Sequence, residues 1–155
     1  MVRGARVAYA VLAWAFVAAV IVQVFLIGLG LFDGSEYRAV HRDVGWLLHI
    51  APLLPLAVSP FARAGRRLIL TTVGLAILTW WVPILAVFRT EMPVAAALHP
   101  VAALLTFWLA IHVARAATGL ARSSDPGTAT TRGGWLVVVV VVVVLLFLSF
   151  SGSPT

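Results

Sequence analysis

Five long apolar runs separated by short polar stretches set the pattern along this chain. The first, Val7 to Phe32, carries 26 residues without a charge. At about 1.5 Å per residue it is long enough to cross a hydrocarbon core of roughly 30 Å. Arg3 and Arg6 ahead of it imitate the start of a signal peptide. The run is about twice the length of a signal-peptide core, however, and no small-x-small cleavage site follows, so the pattern predicts an uncleaved first helix. The second run extends from Tyr37 or Arg38 to about Pro60 and contains Pro52 and Pro55. Such prolines bend membrane helices and are tolerated where neighbours re-satisfy the freed carbonyls.

The third run is Leu68 to Phe88, with Trp80, Trp81 and Pro83 towards one end, and the fourth is Pro93 to Ala114. Pro93 is placed as a first-turn proline. A stretch rich in Ser, Thr and Gly follows, ARSSDPGTATTRGG at 121–134, and reads as a flexible linker. The last run, Trp135 to Phe150, has 16 residues and includes eight consecutive valines, Val137 to Val144. It is short for a span unless Gly133, Gly134 and Ser151 join it. The valines offer lipid a uniform surface with no small-residue packing motif and no polar group. No internal repeat is visible. The predicted fold is an all-α integral membrane helical bundle with four core transmembrane helices and a C-terminal fifth. Residues 1–117 form the bundle, 118–134 a flexible cytoplasmic linker, and 135–155 the valine-rich transmembrane helix with its tail.

Composition strengthens this picture. Hydrophobic residues make up 63% of the 155 positions and charged residues 10%, with a mean hydropathy of +1.09. A water-soluble globule needs about a quarter of its residues charged, so that class is excluded. The absence of cysteine removes disulfide scaffolds, cysteine metal sites and thiol nucleophiles. The net charge of +6 comes with cations that are all arginine, a codon preference that suits a high-GC bacterial genome. The arginines lie between the apolar runs rather than in one patch, so they act as topology signals and not as a nucleic-acid surface. With the N-terminus inside, the cytoplasmic segments hold Arg3, Arg6, Arg63, Arg66, Arg67, Arg115, Arg122 and Arg132, and the outer segments only Arg38, Arg42 and Arg89. The expected location is therefore a bacterial cell membrane, with a cytoplasmic N-terminus and an extracellular C-terminus.

Polar groups inside a bilayer are costly and point to function by default. The runs contain Gln23, His49, His99 and His112, and His41 stands at the outer mouth of the second helix. His112 lies about one turn from the cytoplasmic end, next to Arg115, and reads as an interfacial residue that reaches water. His49 and Gln23 can each serve as an interhelical hydrogen-bonding group, worth about 0.6 kcal/mol on average.

His41 and His99 form a more specific constellation. The second and fourth helices run in the same direction, and the two histidines differ in depth by only about 4 to 5 Å. Two imidazoles at similar depth on separate helices suit the two axial positions of a haem iron. Gly45, four residues after His41, and Ala102 and Ala103, three and four after His99, are small residues on the same faces. Arg38, one turn before His41, and Arg42 stand near the outer surface, where they can hold propionate carboxylates. His49 paired with His99 has a depth mismatch of similar size in the other direction, so depth does not separate the two pairs. The proximity of Arg38 and Gly45 favours His41.

The stretches VHRDVGWLL (Val40 to Leu48), LHPVAALL (Leu98 to Leu105) and VQVFLIGLG (Val22 to Gly30) resemble a family of short, uncharacterised multi-pass membrane proteins common in actinomycetes. That family pairs an HR-x-x-G motif on the second helix with an LH motif on the fourth. The layout is also similar to one four-helix half of the haem A synthases, in which such helices supply axial histidines and a Gln-Val pair ends the first helix. The resemblance covers about residues 7 to 117 and omits the linker and the valine helix. It implies haem ligation by His41 and His99. It does not carry over the synthase activity, because that fold has an acidic catalytic residue near its first histidine pair, whereas Glu36 and Glu91 are the only glutamates here and fall outside the bundle.

Two functions remain from different classes. One is a haem b-binding electron-transfer bundle with His41 and His99 as metal ligands and Arg38, Arg42 and Gly45 lining the cofactor. The other is a cofactor-free accessory or scaffold subunit, or a small transporter component. No Ser-His-Asp or metal-hydrolase pattern points to an enzyme. The expected partners are the lipid bilayer and a redox or other membrane protein, with neither nucleic acid nor a soluble substrate indicated.

Overall fold

The computed structural model describes residues 1–125, 127 and 129–151, and the regular structure among them is entirely helical. In chain order the helices are α1 (Val2–Phe32), α2 (Glu36–Leu48), α3 (Leu53–Val58), α4 (Arg66–Val87), α5 (Pro93–Ala96), α6 (Leu98–Arg122) and α7 (Arg132–Ser151). Among the described residues, four stretches are long and apolar enough to cross a membrane: Val2–Phe32, Arg66–Val87, Pro93–Arg122 and Arg132–Phe150. The protein is therefore an all-α bundle of multi-pass membrane character, as its sequence predicts.

The second apolar run folds as two helices rather than one bent helix. Pro52 and Pro55 have no N–H to offer Leu48 O and Ala51 O. The chain passes between α2 and α3 through tight turns instead, with Ala51 N–H donating to Leu48 O at 3.0 Å and Leu53 N–H to Ile50 O at 3.0 Å. The break is covered by protein, since His49, Pro52, Leu53, Pro55 and Leu56 are all buried. Neither helix alone could span; α2, with 13 residues, is only about 20 Å long. Together they run antiparallel to α1 along nearly its whole length. Arg38 Nε donates to Gly30 O at 2.7 Å at one end, and Arg6 Nε donates to Ala62 O at 3.2 Å at the other. The fourth run has a smaller interruption. Pro100 leaves Ala96 O without its helical donor, and α5 and α6 meet at a turn on Ala97.

The core lies where α1, α4 and α6 meet. Ala110, Ala114 and Ala117 of α6 are buried at helical spacing, and their small side chains let α1 pack close with Tyr9, Ala13 and Phe16. Tyr9 O–H donates to Thr72 Oγ1 at 2.5 Å, because the threonine's own proton goes to Leu68 O at 2.9 Å. Trp14 Nε1 donates to Thr118 Oγ1 at 3.0 Å and ties α1 to α6. The valine run of α7 is mostly exposed, with Val138 as its buried member. The polar anchor of α7 lies outside the valines. Leu145 is buried, and Ser149 Oγ accepts from Trp80 Nε1 at 3.2 Å and meets His49 Nε2 at 2.9 Å. This polar tie to α4 and to the break was not visible in the valine pattern. In the predicted linker, α6 continues to Arg122 and α7 starts at Arg132, while residues 126, 128 and 152–155 lie outside the described residues.

One end of the bundle is closed by Arg6, whose side chain is only 4% exposed. Besides Ala62 O, its Nη1 donates to Ser123 O at 3.2 Å and Asp125 O at 2.7 Å. Ser123 O caps the C-terminal end of α6, where a cation complements the helix dipole. Gly127 crosses the guanidinium in a left-handed conformation (φ 66°), and a Cβ there would come within 2.8 Å of Nη2. The planar fork of arginine reaches these carbonyls, and the single ammonium of lysine cannot do so together. Arg6→Lys is therefore expected to lower stability by about 2 kcal/mol or more, and Arg6→Gln likewise. Thermal unfolding of the detergent-solubilised protein measures this, and a wild-type melting temperature for Arg6→Lys would show that charge alone closes this end.

Candidate functional site

Helix α2 stands at the edge of the bundle, where none of its residues is buried. It is positioned by α1 through Gln23, a polar residue in an otherwise apolar run. In the amide orientation that satisfies both ends, Gln23 Nε2 donates to His41 O at 3.0 Å and Oε1 accepts from Gly45 N–H at 3.0 Å. Gly45 therefore faces α1, and a Cβ on it would lie 3.9 Å from the Gln23 side-chain amide, an ordinary contact. The glycine of the HR-x-x-G motif is thus in contact with Gln23, an arrangement the sequence spacing did not reveal.

His41 and His99 come together from separate segments. Their ring centroids are 6.4 Å apart and the ring planes are inclined by 79°. The helices that carry them do not otherwise approach, for no Cα of α2 lies within 8 Å of a Cα of α6. The two imidazoles therefore bridge a gap between backbones. His99 Nδ1 faces Val82 O at 2.7 Å. A carbonyl only accepts, so this nitrogen carries a proton, and in the neutral ring the lone pair is on Nε2. His41 Nδ1 faces Gln23 O at 3.0 Å and also lies 2.7 Å from the Gln23 amide nitrogen. The carbonyl favours a proton on Nδ1 and the amide favours one on Nε2, so the tautomer of His41 is set by how Gln23 turns. Neither Nε2 has a hydrogen-bond partner among the described residues.

The remaining predicted residues take distinct places. Arg38 is exposed, with Nε on Gly30 O at 2.7 Å and its stem lying against Gly30, where a Cβ would come within 2.7 Å of Arg38 Cγ. Arg42 points outward and pairs with Asp43 at 2.8 Å. Ala102 is buried one turn beyond His99. His49 does not join the pair. Its Nδ1 faces Trp46 O within α2 and its Nε2 faces Ser149 Oγ of α7, so both nitrogens are engaged away from the pair. His112 stacks on Trp108 at 6.2 Å, one turn away on α6. No group of three or more His, Asp or Glu side chains able to hold a metal ion is present among the described residues. Among the groups that position the pair, Gln23 was legible as a polar residue in a membrane run, whereas the carbonyl of Val82 left no signal in the sequence.

Residues 23–91 match a family described as a family of unknown function (DUF6220). The matched stretch includes Gln23, His41 and Gly45 and ends before His99. No curated protein matches the chain, and no solved structure does.

If Gln23 positions α2 through its amide, Gln23→Leu and His41→Leu should not be additive. A coupling of about 0.6 kcal/mol, and at most about 1.7 kcal/mol, is expected from a double-mutant cycle on unfolding. Strict additivity would show that the contact contributes nothing.

Proposed function

We propose that this membrane protein is an electron-transfer bundle that holds one haem b between His41 and His99. The observation that carries the proposal is the 6.4 Å separation of two imidazoles across a gap between α2 and α6. Two imidazoles on opposite sides of a metal, with bonds of about 2 Å each, have centroids about 6 Å apart. The donor set fits as well. Two imidazoles from separate helices are a donor set that would suit a haem iron, whose porphyrin would bring its remaining ligands. An Nδ1–H donated to a backbone carbonyl fixes the ring and raises the basicity of Nε2, the usual support for a metal-bound histidine.

Haem b supplies a one-electron couple at its iron when bound. The chain's own residues provide the rest. His99 would present a neutral Nε2 with Nδ1–H on Val82 O, His41 would do so when its Nδ1–H is on Gln23 O, and Ala102 keeps the α6 face small. Arg38 offers its outer guanidinium nitrogens to a propionate while Nε stays on Gly30 O. Arg42 is spent on Asp43 and contributes less. The cofactor-free alternative, a scaffold or accessory subunit, draws support from the same Nδ1 contacts, which by themselves tie α1 to α2 and α4 to α6. An absorbance spectrum of protein purified from haem-replete cells separates the two. A low-spin spectrum is expected, lost in His41→Ala and in His99→Ala, retained in His49→Ala and His112→Ala, and weakened by lower haem retention in Arg38→Ala. Colourless wild-type protein would end the haem proposal.

We further propose that the arginine-rich end faces the cytoplasm of a bacterial cell, which places the N-terminus inside and the C-terminus outside. The support is the imbalance of eight arginines against three and the way Arg6, Ala62 and Ser123 meet at one end. The haem would then lie towards the outer face. A reporter active only outside the membrane should work after Thr155 and fail within 121–134. The reverse pattern would invert the orientation, and activity at both sites would show that α7 does not cross.

A further inference from the structure

Opposite the histidine pair, the arginine-rich end encloses an open cleft of about 680 Å³ lined by Arg3, Arg6, Arg63, Arg122 and Asp125. Four guanidinium groups thus share it with one carboxylate. That carboxylate is already engaged, since Asp125 Oδ1 accepts from Gly127 N–H at 2.9 Å. Arg6, 4% exposed, is bound only by the neutral carbonyls of Ala62, Ser123 and Asp125, and its Nη2 has no acceptor among the described residues. A buried cation held by dipoles alone lacks the counter-charge that buried ions normally have. Arg63, in the turn after α3, also lines the cleft.

We propose that this cleft binds a phosphate group, supplied by the headgroup of an anionic phospholipid in the adjoining leaflet. A phosphodiester carries one negative charge and several acceptor oxygens, and guanidinium forks bind such oxygens in pairs. The cleft opens at the end of the bundle, level with the first residues of α1 and the last of α6, where headgroups lie. Basic pockets between transmembrane helices are a common setting for acidic headgroups.

The test measures the melting temperature of the full chain in an uncharged detergent with phosphatidylglycerol, phosphatidylcholine or inorganic phosphate added at matched ionic strength. Phosphatidylglycerol should raise it by several degrees and phosphatidylcholine should not. The double variant Arg3→Gln/Arg122→Gln, whose side chains are exposed, should keep the phosphatidylcholine value and lose at least half of the phosphatidylglycerol effect. Arg89→Gln, at the other end, should keep the full effect. If inorganic phosphate reproduces the rise, the cleft binds phosphate and the free anion is its source; if only the lipid does, the headgroup is. Equal responses to both lipids, an undiminished response in the double variant, or an equal loss in Arg89→Gln would overturn the site.

Discussion

Inside a bilayer a freed backbone carbonyl finds no water, so a segment interrupted by two prolines can lie at membrane depth only where protein covers the interruption. Here α1 lies along the whole of the α2–α3 segment. Arg38 on Gly30 O closes one end, Gln23 against His41 and Gly45 holds the middle, and Arg6 on Ala62 O closes the other. The break itself sits between buried Pro52, Pro55 and Leu56 on one side and Ser149 of α7 on the other. Everything that distinguishes the two ends of the molecule follows from this pairing. It sets α2 at the bundle edge with His41 turned towards His99, and it gathers the ends of α3 and α6 around Arg6.

The architecture was legible where periodicity and length govern it. Apolar runs of 20 or more residues have few other folds available, and α1, α4 and the α5–α6 span match them. Breaks were less legible. Pro52 and Pro55 announced a bend, but whether a proline bends or divides a helix depends on what surrounds it, and that is tertiary. The linker boundary shifted for a related reason, since Gly119 and Arg122 are compatible with helix once α6 packs on α1. The valines concealed α7's attachment, because its polar contact comes from Ser149 just beyond them.

The histidine pair was legible as depth on two parallel helices, and the geometry brings His41 and His99 together while His49 turns away to Ser149. The supporting groups were harder to read. Gly45 was expected to make room for a flat ring and lies beside Gln23, and Arg42 was expected at a propionate and pairs with Asp43. Small residues and arginines have several uses at a membrane surface, and spacing along one helix does not say which neighbour claims them. Backbone acceptors such as Val82 O have no sequence signature at all.

The proposed haem and the proposed phosphate cleft occupy opposite ends of one bundle. The central claim is that the two imidazoles ligate one iron in the relative orientation seen here. Electron paramagnetic resonance of the oxidised, haem-loaded protein tests it most directly. Planes inclined by 79° should give a strongly anisotropic low-spin ferric signal, dominated by one large g value. A high-spin signal, an ordinary rhombic signal of parallel imidazoles, or no ferric haem signal from haem-replete cells would contradict the account.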